Sequence, residues 1–225
     1  MTEVTEDYNR LRAEMAAALA RADRSNALMD KTLAADPAPL GLAAFALTTF
    51  LLSFANAGWL PAETASVVLP LAFAYGGSCQ LLTGVFEMRK GNTFGFTAFC
   101  SYGAFWLFYA LLGLLASMKI ITPIPSAVGA TLILWGIFTL YLWIPAMTTT
   151  LALNLTFLFL WVTFFALGAG ALLGVPLMTN LGGYLGILTA TVAAYTSFAT
   201  VTNSVVGPGT VPLGRGINWK KAPSS

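Results

Sequence analysis

Histidine is absent from all 225 residues, and the only cysteines are Cys79 and Cys100. The first absence excludes bis-histidine haem ligation, histidine-based metal centres and a Ser-His-Asp triad. The two thiols lack metal-type spacing and fall inside long apolar runs, where a free cysteine behaves as a small packing residue. Charge is scarce too. Only 9% of residues are Asp, Glu, Lys or Arg, twelve of those twenty lie within the first 36 positions, and from Gly91 to Gly214 Lys119 is the only one. No Asp, Lys or Arg interrupts the apolar runs, and Glu87 is placed at the end of one of them beside Arg89 and Lys90. A relay of buried carboxylates, as in proton pumps, is therefore not expected. A phosphate-binding loop is missing, which argues against an ATP-driven machine. The chain is not expected to be an enzyme or to hold a cofactor or metal, and its net charge of +2 gives no reason to expect nucleic acid.

What is present is apolar surface, at 57% of residues. A span across a hydrocarbon core of about 30 Å needs roughly 20 apolar residues as a helix. Six segments qualify: about 40–59, 64–86, 94–118, 126–144, 150–173 and 181–206. Gly-Asn at 91–92, Pro123, Pro125 and Gly174-Val175-Pro176 mark breaks between them, Pro145 breaks the fourth, and Gly207-Pro208-Gly209 follows the last. The expected fold is an all-α integral membrane protein with six transmembrane helices per subunit. Residues 36–206 form the membrane domain, 207–225 a C-terminal tail, and 1–35 a polar amphipathic helix with Val4, Tyr8, Leu11, Met15, Leu19 and Ala22 on one face. Lys and Arg flank one side of the membrane: Arg21, Arg24, Lys31, Arg89, Lys90, Arg215, Lys220 and Lys221. Lys119 alone lies opposite, so a multi-pass cell-membrane protein with both termini cytoplasmic is expected.

Neutral polar groups recur at helical spacing inside the spans. Thr48 or Thr49, Leu52 and Asn56 continue a face from Phe45; Gln80, Thr83 and Glu87 do so in the second span, and Thr97 and Ser101 in the third. Thr189, Val192, Thr196, Thr200 and Asn203 make a stripe in the sixth. Each side chain alone is accounted for by interhelical hydrogen bonding, worth about 0.6–2 kcal/mol in lipid. Several stripes in one small bundle point towards a polar lane. Pro37 and Pro39 lack backbone donors and suit a helix start, with Asp36 placed to accept from free amides. The same helix end, with its positive dipole, would favour a small anion at an aqueous vestibule, which the charge of Asp36 partly opposes.

DPAPLGLAAF at 36–45 resembles the NPAPLGL signature of the acetate uptake transporter family, the succinate-acetate permease-like proteins. The likeness extends through Tyr75-Gly76-Gly77-Ser78-Cys79-Gln80, Gly84 to Glu87, KGNTFGFTAFCSYGAFW at 90–106 and LWGIFTL at 134–140. The resemblance implies a homohexamer in membrane lipid, with a separate path through each subunit for acetate and related small carboxylates such as succinate. It implies an apolar constriction of Phe45, Tyr102 and Leu160, with substrate near Gln80, Thr49, Thr97 and Asn154. Asp36, Pro37, Pro39 and Gly41 would form the vestibule signature, and Glu87 is a possible ionisable group. Asp36 stands where the signature usually has Asn, and Thr200 where bacterial relatives carry a glutamate. Passage would be proton-linked symport or channel-like. The competing readings are a channel for a neutral solute such as urea or ammonia, and a membrane scaffold without transport.

Overall fold

The computed structural model describes residues 2–33 and 35–218. It divides into two compact units, Met1–Asp36 and Pro37–Ser225. The first holds helix α1, Thr2–Leu33, on which Tyr8, Leu11, Met15 and Leu19 are exposed and Arg10 pairs with Glu14 at 3.3 Å. The side chains of Val4 and Lys31, together with Lys220 and Lys221, lie outside the described residues.

The second unit contains six helices long and apolar enough to cross a membrane: α2 Ala38–Asn56, α3 Ala65–Lys90, α4 Thr93–Ser117, α5 Pro125–Ala146, α6 Leu151–Leu173 and α7 Pro176–Val206. No strand occurs among the described residues. The fold is all-α and membrane-spanning, as expected. The helices make a closed ring in which α5 packs on α6, α6 on α7, α7 on α2, α2 on α3 and α3 on α4. Small residues set the close seams. Gly129 and Gly168 face each other across α5 and α6, where a Cβ on Gly129 would stand 2.8 Å from the Gly168 carbonyl. The seam between α4 and α5 is wider and is filled by rings. Tyr102 meets Trp135 and Phe138, and Phe105 meets Trp135 edge-on at 5.2 Å.

Three boundaries differ from expectation for identifiable reasons. α3 runs to Lys90, past Phe86, because the basic last turn favours the helix C-terminus and Gly91 (φ 77°) supplies the left-handed cap. α5 tolerates Pro145, which falls in its final turn and ends it at Ala146 rather than breaking it earlier. α7 starts at Pro176, since proline opens a helix without losing a needed donor, so the turn read as a loop belongs to the span. Within α3, residues Ala72–Cys79 adopt π-helical register, a feature that in helices often marks functional sites. At the N-terminus of α2 the cap position falls on Pro37, one residue after Asp36, and Ser197 of α7 donates to the Pro39 carbonyl at 2.7 Å.

Beyond α7 the chain folds back over the bundle. The Asn203 amide brackets Val211, donating to its carbonyl at 3.0 Å and accepting from its N–H at 2.7 Å. Leu213 then accepts from the N–H of Ala152, one of the orphan donors at the start of α6, and Ile217 donates to the Met147 carbonyl at 2.7 Å.

Candidate functional site

Two cavities lie inside the ring of helices. The larger, about 230 Å³, is lined along α2 by Phe45, Thr49, Leu52, Ser53 and Asn56, and opposite them by Trp106, Tyr109, Leu132, Thr163 and Phe164. The smaller, about 80 Å³, is bounded by Ala38, Leu42, Gln80, Asn92, Gly95, Thr156 and Phe157. At about 30 Å³ per water molecule, the smaller one holds a few waters or one small solute. Phe45, Tyr102 and Leu160 line both cavities, and no other described residue does. Their side chains are 6%, 4% and 4% exposed, with the Phe45 and Tyr102 rings 6.1 Å apart. The structure thus brings together, as a partition, three residues drawn from α2, α4 and α6.

Tyr102 is fixed from α5. Its hydroxyl donates to Thr139 Oγ1 at 2.9 Å, and Thr139 donates in turn to the Trp135 carbonyl at 2.7 Å. The tyrosine proton is committed there, so the ring and the remaining lone pairs are what it can offer a solute. Thr49 and Gln80 stand on opposite sides of the partition, in the larger and smaller cavity respectively. Thr49 is 7% exposed and Gln80 1%, and neither Thr49 Oγ1 nor Gln80 Oε1 has a hydrogen-bond partner. Buried polar atoms are normally satisfied, so two orphans flanking one constriction are polar groups available to a solute or water.

Thr97 and Asn154 are not brought to either cavity. Thr97 is half-buried on α4, and Asn154 Oδ1 accepts from Trp143 Nε1 at 2.7 Å, tying α6 to α5. Pro37 is half-buried and Pro39 buried; Gly41 is buried where a Cβ would stand 2.5 Å from the Phe99 ring and 2.8 Å from Thr83, which is a packing requirement. Asp36 belongs to the N-terminal unit. Glu87, read as an end-of-span charge, is fully buried on α3, with Oε2 accepting from Asn92 Nδ2 at 2.6 Å.

The stripe on α7 is structural. Thr189, Thr196 and Thr200 each donate to the carbonyl four residues back at 2.8 Å, and none lines either cavity. The stripe on α2 is the one that faces a cavity. Sequence reasoning passed over Ser53, Trp106, Tyr109, Thr163 and Asn92; of these Ser53 and Asn92 carried a signal, one helical turn from Thr49 and at a helix N-cap. Trp106 Nε1 is a further buried donor without a partner in the wall of the larger cavity.

A ring of six membrane-spanning helices around two cavities separated by an apolar partition defines a membrane protein with the build of a transporter or channel. The chain belongs to the GPR1/FUN34/yaaH family, whose model matches residues 22–214. Among its relatives, the succinate-acetate/proton symporter SatP of Escherichia coli (strain K12) is 36% identical over 189 residues, covering 83% of this chain and 98% of that one. Acetate permease A of Emericella nidulans is 39% identical over 186 residues, 76% of this chain and 62% of that protein. The solved structure of the bacterial acetate channel SatP matches with a TM-score of 0.78 at 35% identity, covering 80% of this chain and 99% of the other.

Proposed function

We propose that this protein carries acetate and related small carboxylates across the cell membrane, along a path through each subunit from one cavity past Phe45, Tyr102 and Leu160 to the other. The observation that supports it most is the partition: two cavities share those three side chains and nothing else among the described residues. A carboxylate crossing an apolar ring must shed water, which costs far more for the anion than for the neutral acid. A methyl group suits the faces of Phe45 and Leu160. The orphan Thr49 hydroxyl and Gln80 carboxamide oxygen then meet the carboxyl group on either side, the oxygen being able to accept from the O–H of a protonated acid. Such a passage selects small, weakly acidic solutes and runs down a solute or proton gradient.

The Lys and Arg flanks support a reading with both termini cytoplasmic, and the family resemblance supports assembly as a homohexamer in the bilayer. Radiolabelled acetate uptake into proteoliposomes, with protein-free vesicles subtracted, tests the function. Saturable uptake above that background is expected, and none at any pH overturns the reading. A second reading, passage of ammonia, is favoured by one relative, the ammonia transport outward protein 2 of Saccharomyces cerevisiae, 39% identical over 181 residues, 76% of this chain and 64% of that protein. Under that reading excess unlabelled acetate leaves ammonia flux unchanged.

A further inference from the structure

Most buried threonines in this bundle turn back on their own helix: Thr48, Thr139, Thr156, Thr163, Thr189 and Thr196 each donate to the carbonyl four residues back. Thr49, at the partition, and Thr83 depart from this; Thr83 is fully buried on α3 and its Oγ1 has no partner. Its fourth residue back is Cys79, where the π-helical stretch ends. Gln80, with an unpartnered Oε1, precedes Thr83 by three positions and Glu87 follows by four, so the three share one face of α3. Glu87 is the only charged-type side chain that is buried among the described residues. Gln80 lines the smaller cavity, and so do Asn92 and Gly95, the residues packed against the Glu87 carboxyl.

We propose that Glu87 is a proton-carrying site of transport, joined to the smaller cavity by Thr83, Gln80 and Asn92. The inference rests on the transport reading above and names the group that would couple solute to protons. Orphan oxygens on one helix face, leading from a cavity to a buried carboxyl, are what a short proton path needs; a packed apolar face would serve structure as well. The Glu87 carboxyl is fully buried and lies at the N-terminus of α4, where Asn92 is the cap. Among charged and titratable neighbours, Arg89 and Lys90 lie on the same helix and are exposed at its end. On the α4 side the N-cap Asn92 and Gly95 are neutral, and the Cys100 thiol packs against Gly84. Residues 37–62, which include α2, have no ionised side chain, and Lys119 sits at the opposite end of α4 from Glu87.

The step balances simply. A carboxylic acid in the smaller cavity gives its proton to water beside Gln80, that water gives one to the Thr83 oxygen, and the Thr83 hydroxyl gives its own to the Glu87 carboxylate, each O–H bond broken being matched by one formed. The solute departs as carboxylate, and Glu87 later releases the proton to water on that side.

The test uses the full chain in proteoliposomes, comparing wild type with Glu87→Gln and Glu87→Asp. Glutamine keeps an acceptor for Asn92 but cannot ionise. The expected result is that E87Q retains exchange of labelled for unlabelled acetate at equal pH, yet loses stimulation of net uptake by an inward proton gradient by about tenfold or more. E87D restores part of it. Gradient stimulation that persists in E87Q overturns the proposal while leaving transport intact, whereas absent exchange in the wild type overturns the transport reading itself. If E87Q loses exchange as well, infrared difference spectra of the wild type decide. A change in the C=O band of a protonated protein carboxyl on adding 13C-acetate supports the proposal, and no change overturns it.

Discussion

A side chain at the partition can be judged by what its polar atom does before solute arrives. Thr49 Oγ1 is buried without a partner, which costs stability of order 1–3 kcal/mol. Thr49→Val, nearly isosteric, should therefore leave the melting temperature unchanged or raise it, and lower acetate uptake severalfold at subsaturating acetate; thermal unfolding in detergent and initial uptake rates check the two halves. Tyr102→Phe makes the complementary case. It removes the bond to Thr139 but keeps the ring in the partition, so about 0.5–1.5 kcal/mol of stability is lost while the apolar barrier is preserved. Tyr102→Ala removes the ring itself and should change both the uptake rate and the discrimination between acetate and longer carboxylates. A scaffold without transport would show no such change.

Among the helices, α2 and α7 carry similar polar stripes in the sequence but differ in use. Hydroxyls on α7 are turned back on their own carbonyls, whereas the face of α2 from Phe45 to Asn56 lines the larger cavity. Spacing alone could not separate the two, because both patterns fit one helix face and the choice depends on which neighbour packs there. The six spans were legible because a run of about 20 apolar residues has few alternatives. Their ends were less so: Pro176 and Glu87 carry the local chemistry of a break, yet each belongs to a helix, Pro176 as its first residue and Glu87 a turn before its cap. Phe45, Tyr102 and Leu160 were legible only through resemblance, since their meeting requires three helices. Thr97 and Asn154 were inferred near the substrate through the same resemblance, and neither lines either cavity. The segment after α7, expected as a tail, is held by the Asn203 clamp on Val211, a pairing eight residues apart that no periodicity reveals. Asn203→Ala leaves that backbone N–H and carbonyl without their partner, so a loss of about 1–3 kcal/mol, read as a lower melting temperature, is expected.

At the scale of the whole molecule, the bundle and α1 separate as units, and everything assigned to the path lies in the second. Deleting residues 2–31 should accordingly leave acetate uptake per correctly inserted protein unchanged, checked in the same vesicles. The central claim is that solute passes between the cavities at the shared partition. The most direct measurement places a cysteine there, Leu160→Cys in a chain carrying Cys79→Ser and Cys100→Ser, and follows acetate uptake before and after a small thiol-specific methanethiosulfonate reagent. Block of uptake by the reagent, relieved by reduction and slowed by saturating acetate, is the predicted result. Uptake that continues unchanged with the introduced thiol fully modified would contradict the account, because the solute would then be travelling by another route.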